Sequence, residues 1–165
     1  QDLVRTVCNA LDRAHVPASH LKLEITESVV MSDVQASSAI LAHLKEMGIQ
    51  LAIDDFGTGY SSLSYLQSLP INYIKIDRSF VWSMQKNKQN TELIKAIVAM
   101  GHSMDHLLIA EGIETRSHVE LLQSLGCNMG QGFYFAKPMP APDVQAYMKT
   151  GSIKGSDQSS NPDSS

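Results

Sequence analysis

Short strand-type runs alternate along this chain with longer stretches of helical spacing, and that order leaves few folds open. Leu21 to Thr26 alternates apolar and polar residues, as a half-buried strand does. Residues 49–54, 73–77, 107–111 and 129–135 supply four more strands. Leu107-Leu-Ile-Ala110 is apolar throughout, the pattern of a strand buried on both faces. Between the strands lie helical stripes. Residues 2–14 carry Leu3, Val4, Val7 and Leu11. Ser32-Asp-Val-Gln35 reads as a capping box before a stripe of Ile40, Leu41, Leu44 and Met47, stopped at Gly48. A short helix is expected through Tyr65. Residues 84–91 read as a polar loop with Asn90 as cap, before Leu93, Ile94, Ile97 and Met100 and a stop at Gly101. Thr115 caps a helix with Val119, Leu122 and Leu125, and Pro142 opens a last helix over 142–149. Such alternation predicts a parallel sheet, either doubly wound or closed as a barrel.

The strand ends separate these two. Glu24, Asp54, Lys75 and Glu111 each lie at or near the C-terminal end of a strand, and Gln131 lies in the fifth. In a (β/α)8 barrel such ends converge on one mouth. An open sheet spreads them along a crevice. The expected fold is therefore α/β, a TIM-like (β/α)8 barrel. Here it is a partial barrel of about five parallel strands with helices outside.

At 165 residues a single domain with a sizeable core is expected. Residues 1–149 form it, and 150–165, rich in Ser, Gly, Asp and Asn, read as a disordered polar tail. The net charge is -4 with Lys and Arg scattered, which argues against a nucleic-acid polymer as partner. A small anionic ligand held through metal ions stays open. Cys8 and Cys127 form no disulfide framework, so a reducing, cytoplasmic compartment is expected. No apolar run reaches membrane-spanning length. The chain opens on Gln1 rather than Met, and a longer parent is expected, one that an upstream segment could anchor to a membrane.

Chemistry concentrates in Leu51-Ala-Ile-Asp-Asp-Phe-Gly-Thr-Gly-Tyr-Ser-Ser-Leu63. A strand here ends in two adjacent carboxylates and breaks into a glycine loop. Adjacent carboxylates repel and are costly to desolvate unless a cation neutralises them. Glu24, Asp54, Asp55 and Glu111 could give hard oxygen ligands to two Mg²⁺ or Mn²⁺ ions, the arrangement used for in-line phosphoryl displacement. Lys75 could stabilise a phosphate oxygen or orient water. Each residue also has an ordinary reading: a solvated turn for Asp54 and Asp55, an edge-strand face for Glu24, a surface ion pair for Lys75 and Asp77, a helix cap for Glu111, a buried amide for Gln131. Those readings do not explain why polar groups recur at the same end of successive buried strands. His102 and His106 have i, i+4 spacing without a third ligand and read as loop or surface residues. His15, His20, His43 and His118 read as solvated. Phe56, Tyr60 and Phe133 could stack on a base, with core packing as the other role for the two Phe residues. Asp55-Phe-Gly57 lacks the other loops a kinase needs.

Five motifs in order resemble the EAL domain family of bacterial cyclic di-GMP phosphodiesterases. They are Leu23-Glu-Ile-Thr-Glu-Ser28, Asp54 through Leu63, Ile74-Lys-Ile-Asp77, Ala110-Glu-Gly-Ile-Glu-Thr115 and Gly130-Gln-Gly-Phe-Tyr-Phe-Ala-Lys-Pro138. The resemblance runs from Leu3 to about Met148. It implies a TIM-like barrel and hydrolysis of one phosphodiester of cyclic di-GMP to the linear dinucleotide. It implies that Glu24 and Asp54 hold a metal ion and Asp55 a second, with Glu111 and Asp77 as further acidic site residues. It implies that Lys75 lies near the attacking water, that Gln131 is a site residue, and that Glu27 anchors the loop from Asp55 to Leu63. A homodimer through barrel helices and a sensory or GGDEF-type domain upstream fit the family. The family's Glu-Ala-Leu motif and the next strand, with its metal-binding Asn, are absent and would lie before Gln1, so the chain resembles the C-terminal two thirds of the domain. Weak or no activity is expected of this piece alone. The alternative is a non-catalytic module that senses cyclic di-GMP or docks a protein.

Overall fold

A computed structural model of the chain describes residues 3–57, 63–85 and 88–150. The chain divides into two compact units, residues 1–135 and 136–165. The first holds five strands: β1 (Lys22–Thr26), β2 (Gln50–Phe56), β3 (Tyr73–Ile76), β4 (Leu107–Ala110) and β5 (Met129–Gly130). They form one sheet in the order β1-β2-β3-β4-β5, and every pair is parallel. Spatial order follows chain order. A doubly wound sheet reverses its order at a switch point, whereas a barrel wall winds in one direction.

The helices of this unit are α1 (Leu3–Ala14), α2 (Glu27–Ser32), α3 (Val34–Glu46), α4 (Leu63–Ser68), α5 (Arg78–Ser83), α6 (Lys88–Ser103) and α7 (Arg116–Ser124). Leu51, Ala52 and Ile53 are consecutive in β2 and all buried, as are Leu108, Ile109 and Ala110 in β4. Successive strand residues face opposite ways, so both faces of the central sheet are covered. Helix α2 packs on β1 and β2, α3 on β2, and α6 on β3 and β4. Asn72 and Asn128 repeat one device: each precedes a strand, and its Oδ1 accepts the amide of Leu51 or Leu108 in the neighbouring one.

Several local expectations shift. The cap of α3 is Asp33, whose Oδ1 accepts from Ala36 N, while Ser32 closes α2. Ile40 is exposed, and Leu41 and Leu44 carry the buried stripe. Helix α6 begins at Lys88, with Asn90 inside it donating to Ser83 Oγ. It also runs past Gly101, whose role is contact: a Cβ there would lie 2.7 Å from Leu108 Cδ2. β5 is two residues long rather than seven, because the chain leaves the ladder at Gln131 and folds over the turn after β4. His106 and His118, expected at the surface, are buried. Imidazole has an apolar body, which lets it sit inside.

The second unit contains α8 (Ala141–Thr150), with Asp143 N and Val144 N bonded to Pro140 O. The expected tail, 150–165, lies outside the described residues apart from Thr150, the last residue of α8. Among the described residues no helix is long and apolar enough to cross a membrane.

Candidate functional site: a lysine ringed by carboxylates

Strand register alone brings the polar residues together. Glu24 pairs with Ala52, so Asp54, two residues on, shares its face. Lys75 pairs with Ile109, so Glu111 shares its face in turn. Between Ile53 and Phe56 the β2–β3 register shifts, because three steps on β2 match two on β3. The extra residue is a bulge at Asp54 and Asp55, and Asp55 takes φ 55° to accommodate it. Its amide donates to Asp54 Oδ1 at 3.0 Å, fixing that carboxylate. The two carboxylates are thereby aimed differently, Asp54 inward and Asp55 to the exposed side.

Lys75 stands at the centre, with its side chain 4% exposed. Its Nζ lies 2.5 Å from Glu24 Oε2, 2.5 Å from Glu111 Oε1 and 3.0 Å from Asp54 Oδ1. Burial alone would lower the pKa of Lys75. Hydrogen bonds to Glu111, Glu24 and Asp54 outweigh it and hold the ammonium well above the ordinary lysine range. Lys75 is therefore a fixed cation in this arrangement. The alternative of a surface ion pair with Asp77 gives way to these three partners.

The other residues arrange themselves around this centre. Gln131 Nε2 donates to Glu111 Oε1 at 2.8 Å, and Gln131 is exposed rather than buried. Glu27, 3% exposed at the start of α2, accepts from Gly57 N at 3.0 Å and so meets the first residue of the glycine loop. Residues 58–62 of that loop, with Tyr60, lie outside the described residues. Asp77 caps α5: its Oδ1 accepts from Ser79 N at 2.9 Å and from the Ser79 hydroxyl. Burial would raise its pKa, but those bonds and the Arg78 amide hold it below the usual carboxylate value. Phe56 is in the core, and Phe133 is 58% exposed. His118 Nδ1 accepts from Glu114 N, which no spacing rule would have shown.

The donor set suits a divalent cation in type and in charge. It is all carboxylate oxygen, the ligand preferred by Mg²⁺ and Mn²⁺. Three carboxylates against one ammonium leave the cluster anionic. Among the described residues, no three His, Cys, Asp or Glu side chains already stand at metal-holding spacing, since the oxygens are drawn onto Lys75.

Fold and site define a class: a one-way parallel barrel wall with an acidic, lysine-centred mouth at the C-terminal strand ends. The sequence pattern of the EAL domain matches residues 1–138, and the chain belongs to that family. It is 47% identical over 144 residues to the bifunctional diguanylate cyclase/cyclic di-GMP phosphodiesterase MucR of Pseudomonas aeruginosa, covering 87% of this chain and 21% of that protein. The solved MucR phosphodiesterase in complex with cyclic di-GMP superimposes with a TM-score of 0.84, over 86% of this chain and 57% of that one. Klebsiella pneumoniae BlrP1, solved with manganese and cyclic di-GMP, is 31% identical with a TM-score of 0.76, over 83% of this chain and 35% of that one. The chain thus spans about a fifth of the length of the curated relatives it matches. The sheet is a partial TIM-like barrel of the kind these structures share.

Proposed function

We propose that this chain is the larger part of a domain that hydrolyses one phosphodiester of cyclic di-GMP to the linear dinucleotide. The observation that carries the reading is the convergence of Glu24, Asp54 and Glu111 on Lys75. Family membership and the cyclic di-GMP complex of the MucR phosphodiesterase support the substrate. In the reaction a water oxygen bonds to phosphorus, one P–O ester bond breaks, and the departing alkoxide takes up a proton. Glu24, Asp54, Asp55, Glu111 and Asp77 would hold two Mg²⁺ or Mn²⁺ ions, with the manganese complex of BlrP1 as support for the ion class. When bound, such ions acidify a water and neutralise charge on the phosphoryl oxygens.

The chain's own residues do the rest. Lys75 donates to a phosphoryl oxygen or to the water. Gln131 orients Glu111, and Glu27 fixes the near end of the glycine loop. The reading places the reaction in the cytoplasm, consistent with two free cysteines. It includes an upstream sensory or GGDEF-type domain, for which the two activities in the MucR name are the support, and a homodimer through barrel helices.

Hydrolysis of cyclic di-GMP with Mg²⁺ or Mn²⁺ tests it, on this chain and on a form extended upstream. The extended form is expected to be active and this chain weak or inactive. Glu111→Gln and Lys75→Met in the extended form should each lower kcat by roughly a hundredfold or more. An extended form that binds cyclic di-GMP without turnover would favour the sensing module.

A further inference from the structure

The turn that carries Glu111 is gripped from two sides, and only one side belongs to the site described above. On that side Gln131 N bonds Ala110 O, Ile113 N bonds Gln131 O, and Tyr134 N bonds Ile113 O. On the other side stands α5. Trp82 Nε1 donates to Gly112 O at 2.9 Å, across thirty positions of sequence. Gly112 has φ 68°, and a Cβ on it would lie 2.6 Å from Arg78 Cβ and 3.1 Å from Trp82 Nε1. The helix therefore rests directly on Gly112, the residue that follows Glu111. The Arg78 guanidinium lies over the Trp82 ring, 5.1 Å from its centre. Helix α5 itself is seated by the Asp77 cap, two residues after Lys75. One short helix thus ties the strand bearing Lys75 to the turn bearing Glu111.

We infer that Trp82 is a positioning residue for the proposed hydrolysis. Its indole N–H fixes the Gly112 carbonyl and so sets the direction in which the Glu111 carboxylate leaves β4. Trp82 is 43% exposed, more than core packing of an indole requires. Exposure of an aromatic at this level, with its one donor committed to a backbone oxygen beside an acidic centre, fits orientation better than burial. A carboxylate whose supporting shell is loosened loses activity by roughly tenfold or more. The inference rests on Glu111 belonging to the reactive centre.

The test is Trp82→Phe, which keeps a ring for Arg78 to lie on and removes the donor. It is assayed in the protein at its natural length with cyclic di-GMP and Mn²⁺. The expected result is a fall in kcat of roughly tenfold, with KM within about twofold and the melting temperature almost unchanged. The second readout needs no turnover. Trp82 is the only tryptophan of this chain, so its indole N–H gives one proton resonance in the chain alone. That resonance should move in Glu111→Gln and stay in place in Glu46→Gln, a distant control. Unchanged kinetics in Trp82→Phe beside an active wild type would overturn the positioning role and leave the proposed function standing. So would a matched loss of kcat, KM and melting temperature, the mark of general unfolding. An inactive natural-length wild type would remove the function and this role together.

Discussion

Lys75 shows how far one residue can govern this molecule. Its side chain is almost fully buried, while the three carboxylates around it keep part of their surface in water, 41% for Glu24, 23% for Asp54 and 17% for Glu111. Removing the cation would leave three like charges within hydrogen-bond reach of one point. Lys75→Met should therefore destabilise the cation-free chain by about 2 kcal/mol, below the range for a fully buried pair because the carboxylates are partly solvated. Urea denaturation in a chelator measures this. Adding Mg²⁺ should restore much of the loss, since a cation that binds the folded state alone stabilises it by mass action. A Lys75→Met chain as stable as wild type in the chelator would show that the carboxylates do not depend on the ammonium.

The elements repeat one lesson, that the site is built where regular structure gives way. β2 bulges at Asp54 and Asp55, and β5 stops after Gly130 so that residues 131–135 can fold across the β4 turn. Gly132 makes that crossing possible: it has φ 157°, and a Cβ on it would meet Ile113 O at 2.2 Å and Ile113 N at 2.3 Å. Both atoms are backbone and cannot swing aside. Gly132→Ala should cost more than 2 kcal/mol of roughly typical clash energy and displace Gln131 from Glu111. Thermal melts and the loss of hydrogen-exchange protection at Tyr134 N would record it, and protection equal to wild type would count against the crossing. This departure also marks the limit of sequence reading. The strand cores, the helix order and the same-face placement of Glu24, Asp54, Lys75 and Glu111 follow from period-two and period-3.6 patterns, which local residues decide. The bulge, the early end of β5, the α5 turn and the burial of His106 and His118 depend on contacts between segments far apart in the chain. Met129 through Phe135 reads as a strand by composition, yet Gly132 passes close against the Ile113 backbone and the segment crosses it instead.

Global stability should carry the signature of a buried group far from the acidic mouth. His106 sits at the start of β4's approach, 8% exposed, and its Nε2 has no hydrogen-bond partner among the described residues. Burial lowers its pKa, the nearby Lys45 ammonium lowers it further, and Asp105 opposes them. The folded chain thus prefers a neutral imidazole, whereas the unfolded chain titrates near the ordinary value of about 6.5. Between the two pKa values the unfolded state binds more protons, so unfolding free energy rises with pH in that window. Stability from this residue is therefore full above about pH 6.5, falls as pH drops through that value, and levels off below the folded pKa. Asp77 has a folded pKa held below the usual carboxylate value, so it stays ionised between about pH 5.5 and about pH 7.5. His106→Leu should remove the slope, melting at nearly the same urea concentration at about pH 7.5 and about pH 5.5, where the wild type weakens. It should also match or exceed the wild type at the lower pH, because no orphaned nitrogen remains. A wild-type slope that survives in His106→Leu would assign the acid sensitivity to another group.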